Sequence, residues 1–192
     1  MKHRERDEVK IVPYKKAWLE QFEIAKHGLS AALGDISICI DHIGSTSIPR
    51  MPAKDRIDIQ IGVTEISSAI CNTINQQIGN LNLPNAYMSE DHLPPNETHQ
   101  ADWQKIYLPG KTEKWSFKAN IHIRKVGAKN FKYALLFRDY LRIDNSAAKA
   151  YATFKQTLAS QIPDDRDLYS QLKDPVCDLI MISAKRWADT TK

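Results

Sequence analysis

The chain has 192 residues, of which 42% are hydrophobic and 26% charged, a composition typical of a soluble globular protein. The formal net charge of +4 fits an anionic small ligand, but no block of five or more like charges marks a nucleic-acid surface, so a nucleic-acid partner is not expected. We expect one domain over residues 1–192, with a charged leader at 1–8 and a helical C-terminal part at 129–192.

The sequence carries no export or membrane signal. Residues 1–8 lack the apolar stretch of a signal peptide, and no run approaches the roughly 18 apolar residues of a membrane span. A cytoplasmic protein with no membrane partner is therefore expected. Cys39, Cys71 and Cys177 lie far apart in apolar segments, which predicts reduced, buried thiols rather than disulfides.

Residue spacing predicts the elements of the first part of the chain. An extended piece, a helix, two strands and a second helix are expected in this order at 9–14, 15–33, 36–41, 57–63 and 65–78. In the second strand the isoleucines alternate with Asp58 and Gln60, so these two polar side chains share the face opposite the core.

The pattern then becomes irregular before it turns helical. Residues 79–110 carry several prolines and predict a lid or binding loop with one short strand near 103–107. His92 and His99 stand among the acids Glu90, Asp91 and Glu97, which indicates a solvated acidic lid rather than a metal cluster. A third strand, two helices, a helical turn and a final helix that begins at Pro175 are expected at 115–125, 129–143, 144–161, 164–172 and beyond 174.

The connection between the first two strands has the composition of a phosphate site. Gly44 permits a tight turn, and Ser45, Thr46 and Ser47 offer backbone N–H groups and hydroxyls at a predicted helix N-terminus, where anions are favoured. Asp58 on the following strand would be a metal ligand or a general base. The stretch therefore predicts a phosphate cradle with one carboxylate beside it.

Other polar residues near this stretch leave two interpretations each. Lys54 is either a phosphate contact or a solvated lysine. His42 is either a ligand contact or a hydrogen-bonded core histidine. Arg138 and Arg142, four apart on a predicted helix, reach an anionic ligand unless Asp139 holds a neighbouring arginine in a structural ion pair.

Several separated motifs resemble the GrpB family. The matching segments are 42–49, 53–54, 57–59, 120–124 and 136–142, with 12–14, Trp18, 150–151, Lys155 and Leu158 in addition. The resemblance covers nearly the whole chain and implies an α+β, nucleotidyltransferase-like fold, a small mixed β-sheet flanked by helices. A domain of this family is sometimes fused to dephospho-CoA kinase, yet this sequence has no Gly-x-x-x-x-Gly-Lys-Ser/Thr motif.

The resemblance also implies a site, in which the Gly-Ser turn holds phosphates and acids on later strands hold magnesium. Active nucleotidyltransferases generally carry a second acid where Gln60 stands, and the third strand offers His122 where another acid would be sought. Asp58, Gln60 and His122 are thus the implied catalytic group, with Asp58 and His122 as ligands of Mg²⁺ or Mn²⁺. An imidazole ligand also suits Zn²⁺ or Ni²⁺.

Three functions remain open at this point. The first is an enzyme that binds a nucleoside triphosphate and transfers the nucleotidyl group to a small acceptor. The second is an inactive module that binds a nucleotide or phosphorylated metabolite, which Gln60 motivates. The third is an interaction protein that uses the helical C-terminal part.

Overall fold

The computed structural model of the chain describes residues 8–95 and 97–191, so most of the predicted charged leader lies outside the described residues. The strands are β1 (Ile11–Val12), β2 (Cys39–Ile43), β3 (Ala53–Lys54), β4 (Ile57–Val63), β5 (Tyr87–Glu90), β6 (Gln104–Gly110) and β7 (Ala119–Lys125). The helices are α1 (Ala17–Leu33), α2 (Ser68–Gln77), α3 (Lys129–Ile143), α4 (Asn145–Gln161) and α5 (Arg166–Thr190). None of the helices in the described residues is both long and apolar enough to cross a membrane.

The main sheet has five strands in the order β2-β4-β7-β6-β5. Strands β4 and β7 run parallel, and the other neighbours are antiparallel. The register places Asp58 between Ile43 on one side and Asn120 on the other, and it pairs Gln60 with His122. The polar residues of β4 and β7 therefore meet at one end of the sheet.

One face of the sheet forms the main core. The isoleucines at 57, 59, 61, 121 and 123 have no measurable exposure, and Trp18 and Leu29 of α1 cover them. The alternation predicted for the second strand is confirmed at its isoleucines, as is the α+β class with a small mixed sheet, whereas the third strand begins at Ala119 rather than at 115.

The C-terminal helices form a second core, which reaches back to the connection after β2. Phe137, Tyr151 and Met181 from α3, α4 and α5 pack together with Ile48 and Met51. The helical C-terminal part is thus in direct contact with the predicted phosphate cradle.

Two predicted segments were wrong in part. The short strand expected near 103–107 is present as β6, but β6 continues to Gly110, where Pro109 concealed the pattern, and β5 is a second strand where a loop was expected. The proline at 175 does not begin a helix but lies inside the continuous α5. A proline in a helix interior costs about 3 kcal/mol, and buried Tyr169 and Met181 hold the helix in place on both sides of it.

Candidate functional site

The connection that follows β2 is a single 3-10 turn over Ser45–Ser47. Gly44 opens it at φ +68°, a conformation that favours glycine. The Ser47 hydroxyl donates to the Gly44 carbonyl at 2.7 Å, which closes the turn on itself. The predicted helix N-terminus is therefore only three residues long, too short to supply a helix dipole.

Two arginines of α3 hold the turn from behind. The Arg138 guanidinium donates to the carbonyl of His42 at 3.1 Å, and that of Arg142 donates to the carbonyl of Ser47 at 2.9 Å. Arg138 also pairs with Asp139 at 2.7 Å. The structural ion pair with Asp139, one of the two alternatives for these arginines, is thus present. Both arginines also fix the backbone of the turn.

His42 is packed beside the turn. Its ring stacks on Phe22 at 4.8 Å, and its Nε2 lies 3.0 Å from the Thr46 hydroxyl. Burial lowers the pKa of His42 to about 4, so the ring is neutral near pH 7. The hydrogen-bonded core histidine is the arrangement observed.

Asp58 stands at the mouth of the turn. Its Oδ1 accepts from the Asn120 amide at 2.7 Å and lies 3.9 Å from Nε2 of His122. Burial raises the pKa of Asp58, but its interactions with His122, Asn120 and Lys54 outweigh burial and hold the pKa below its ordinary value. Asp58 is therefore a carboxylate anion next to Gly44.

Gln60 belongs to a buried hydrogen-bond network next to the Asp58 site. Its side chain is fully buried, accepts from Arg124 at 2.7 Å and donates to the Phe131 carbonyl at 3.3 Å. Arg124 in turn donates two hydrogen bonds to Asp91, at 2.7 and 3.0 Å. The amide at position 60 thus orients an arginine that neutralises a different carboxylate.

Asp91 is the acid that the sequence analysis assigned to a solvated loop. The structure overturns that assignment, because Asp91 also accepts from Lys105 and Asn130 and its side chain is only 15% exposed. Burial alone would raise the pKa of Asp91, but the adjoining Arg124 and Lys105 hold it well below the ordinary range. The next residue, His92, forms a hydrogen bond through its Nε2 with the Asp178 carboxylate of α5 at 3.0 Å. It too is held in place by the protein rather than solvated.

The donor set around Asp58 does not fit a magnesium site. Among residues 8–95 and 97–191, no three His, Cys, Asp or Glu side chains come together as metal ligands. The Oδ1 of Asn120 already accepts from Tyr107 and Arg56. One carboxylate and one imidazole remain, whereas Mg²⁺ prefers several oxygen ligands.

A cavity of about 760 Å³ lies between this end of the sheet and helices α3 to α5. Its lining is rich in cationic side chains: Lys10, Lys54, Arg56, Lys105, Lys118, Arg124, Lys155, Arg166 and Lys173. Acidic side chains also line it: Glu8, Asp55, Asp58, Glu90, Asp91 and Asp174. The space and the excess of cations suit an anionic small molecule.

The predicted site residues divide into two groups around this cavity. Those that line it are Gly44, Ser45, Thr46, Lys54, Asp58 and His122. Those that stand behind the lining are His42, Ser47, Gln60 and Arg138. The second group shapes the site through backbone and side-chain contacts, and ligand contact by either group stays a prediction.

Sequence reasoning assigned no role to Lys155 of α4. Its ammonium donates to the Ser45 hydroxyl and to the Pro52 carbonyl, both at 2.7 Å. The residue is only 2% exposed, and burial lowers its pKa to about 7. Its place in the family pattern was the only available signal, since a lysine on an amphipathic helix ordinarily faces water.

Comparisons with known proteins agree with the motifs. The family described as GrpB protein matches residues 8–182. The UPF0157 protein YqkA of Bacillus subtilis is 34% identical over 93% of this chain and 48% of its own length. A protein of Mycolicibacterium paratuberculosis named dephospho-CoA kinase is 30% identical over 95% of this chain and 47% of its own. The chain spans about half the length of these curated relatives.

A solved structure covers almost the same extent. The conserved protein GrpB from Enterococcus faecalis superposes with a TM-score of 0.72 at 28% identity. The match covers 93% of this chain and 99% of that one. The arrangement of strands and helices described above is therefore shared along nearly the full length of both.

Proposed function

The chain belongs to the GrpB protein family, and we propose that it binds a nucleotide or another phosphorylated small molecule in the cavity beside Gly44. One observation carries the proposal: the tight turn opens onto a space lined by cations from both the sheet and the helices. Phosphate binding depends on charge neutralisation, and lysine and arginine supply it here.

The position of Ser45 adds to this support. Its hydroxyl lies at the cavity wall and accepts from Lys155, so a cation and a polar group meet at the first residue of the turn. Lys54 enters from β3 with its Nζ 4.5 Å from the ring centre of Tyr169. A phosphate placed at this wall would meet both ammonium groups.

Nucleotidyl transfer is the second candidate, and Asp58 favours it. An ionised carboxylate beside the turn is placed to accept the proton of an acceptor hydroxyl, the role of a general base. The acceptor oxygen would then attack the α-phosphorus of a nucleoside triphosphate, and pyrophosphate would leave. The dephospho-CoA kinase name of one relative lends no support to kinase chemistry, since this chain spans only about half of that protein.

A thermal-shift series with product analysis tests both candidates. Nucleoside triphosphates and inorganic tripolyphosphate are added with and without Mg²⁺ or Mn²⁺. Binding to the native state raises the melting temperature in step with ligand concentration. If no compound raises it, the binding proposal is wrong. A nucleotidyl product identified by mass spectrometry would establish transfer.

The Asp58→Asn variant separates binding from turnover. We expect it to retain the thermal shift and lose any transfer, because the amide keeps the shape but cannot take up a proton. Asp55→Asn is the matched control, since Asp55 also lines the cavity but pairs with Lys15 at 2.6 Å. Undiminished transfer in Asp58→Asn would remove Asp58 from the mechanism.

A further inference from the structure

Lys155 is a buried cation without a carboxylate partner. Within the described residues its ammonium contacts two neutral oxygens, of Ser45 and Pro52, and lies 4.7 Å from the ring centre of Tyr151. Burying an ammonium ion without a counter-ion is costly, so such groups are normally paired. An anion that enters the cavity would supply the missing counter-charge.

The charged groups around Lys155 do not supply a counter-charge in direct contact with its ammonium. Cys177 of α5 and, more weakly, Asp58 of β4 favour the ammonium form, while Lys173 of α5 and Lys54 of β3 repel it. Lys173 has its own partner, Asp174, at 2.9 Å, and it also lies 3.5 Å from the Cys177 sulfur.

Lys54, like Lys155, is a largely buried lysine without a carboxylate ion pair among the described residues. Burial lowers the pKa of Lys54 to about 8. Two largely buried lysines from different elements therefore line one cavity, each without a carboxylate ion pair in the part of the chain that the structure describes. Together their charges would offset a phosphate dianion.

The number of carboxylates near the turn supports the same conclusion. A phosphate bound through Mg²⁺ needs several anionic oxygens from the protein, and Asp58 is the one carboxylate beside Gly44 in the described part of the chain. Asp91, another acid of the cavity lining, is already neutralised by Arg124 and Lys105. The site thus has the counter-charges for a phosphate but not the ligands for its metal.

We propose that Lys155 and Lys54, rather than a divalent ion, neutralise the terminal phosphate of the ligand, so that binding at Ser45 requires no metal. This inference rests on the proposed function and specifies its ligand as a compound with a phosphate dianion. Free nucleotides and phosphorylated metabolites share that group.

Binding should then bring a proton to the protein. A phosphate with a second pKa of about 6 is fully dianionic at pH 8, whereas the Lys155 amine is mostly neutral there because burial lowers its pKa to about 7. The incoming dianion favours the ammonium form, so Lys155 takes up a proton from the buffer. Affinity consequently falls as the pH rises above 7.

Isothermal titration calorimetry at pH 8 tests the proposal with ATP and inorganic tripolyphosphate as probes. Each titration is done in excess EDTA and again in Mg²⁺, in two buffers of different ionisation enthalpy, so that proton uptake is measured directly. We expect both probes to bind in EDTA with net proton uptake. Tighter binding of ATP would identify a nucleotide ligand, and equal binding a phosphorylated metabolite; both outcomes support the metal-free site.

Lys155→Met retains the length of the side chain and removes the charge. We expect it to weaken binding in EDTA by about ten-fold or more, as for the loss of one charged hydrogen bond, and to reduce the proton uptake to the share of Lys54, whose pKa is about 8. Lys149→Met is the matched control, because Lys149 is exposed on the same helix.

The two proposals fail in different ways. Binding that requires Mg²⁺, or that occurs without proton uptake, overturns the metal-free site and leaves the proposed function standing. Absence of binding by both probes in both EDTA and Mg²⁺ overturns the proposed function itself. Because metal dependence and proton uptake are measured on the unaltered protein, the test does not depend on the folding of Lys155→Met.

Discussion

Gly44 and Asp58 are in direct contact: a Cβ built on Gly44 would stand 2.4 Å from Oδ2 of Asp58. No pair of real Cβ and oxygen atoms approaches so closely, so the carboxylate occupies the space that any side chain at position 44 would fill. The absence of a side chain at one residue thus determines where the only carboxylate beside the described turn can lie.

Gly44→Ala is therefore expected to disturb both the fold and the site. The added methyl group would displace Asp58, and the φ of +68° is strained for alanine. We expect the free energy of unfolding, measured in urea, to fall by about 1–3 kcal/mol. Gly79→Ala is the control, since nothing lies within 4 Å of a Cβ there and a change within about 0.5 kcal/mol is expected. A Gly44→Ala protein as stable as the parent would refute the contact.

Asp91→Asn should be one of the most destabilising single changes. It leaves the buried cations Arg124 and Lys105 without their counter-charge, which typically costs about 3–5 kcal/mol. Urea denaturation at pH 7 measures the loss. Glu97→Gln removes one partner of the more exposed pair with Lys129 and should cost far less, because solvent screens an exposed ion pair.

The same pair of variants gives a pH signature. Because the pKa of Asp91 is held well below its ordinary value of 3.8, Asp91 stabilises the parent above that value, and this stability is lost as the pH falls below it. Asp91→Asn should remove this acid-sensitive contribution, and Glu97→Gln should not. Similar costs for the two substitutions would mean that the buried network contributes little.

His42 should make the protein sensitive to mild acid. The pKa of its ring is about 4 in the folded chain against 6.5 ordinarily, so the unfolded chain binds more protons between these values. Stability is fully present above pH 6.5 and falls toward pH 4, by up to about 3 kcal/mol. Denaturation at pH 7, 5.5 and 4.5 should show a shallower loss for His42→Gln. Parallel losses in both proteins would contradict this origin.

Lys155→Met should stabilise the ligand-free protein at pH 7 by about 1–3 kcal/mol, since an unpaired buried charge is replaced by an apolar side chain. The pKa of Lys155 is about 7 in the folded chain against 10.5 ordinarily, so the parent gains stability as the pH rises through that interval. The advantage of the variant should shrink between pH 7 and 9.5. A variant less stable than the parent at every pH would show that the ammonium is already neutralised.

The sequence predicted the turn and its carboxylate because local chemistry determines both. Glycine at 44 and the alternation around Asp58 act within one strand pair and are visible in the order of residues. Asp91 and Lys155 escaped prediction because their roles depend on distant partners, Arg124 in one case and Ser45 in the other.

Prolines account for the errors in the fold. The one at 109 lies in β6 and the one at 175 in α5, although either residue alone argues against a regular element. In both cases neighbouring buried side chains keep the element continuous. Tertiary packing outweighs the low propensity of proline for strands and helices, and such packing cannot be predicted from a single segment.

Side chains of the C-terminal helices contact the turn, and these contacts limit how the site could be transferred to another protein. A graft of residues 41–63 into another sheet would carry Gly44 and Asp58 but would leave behind Arg142 and Lys155, which contact Ser47 and Ser45 from α3 and α4. Such a graft would keep the loop sequence and lose its charge and support. A transferable version of this site must therefore include the helices.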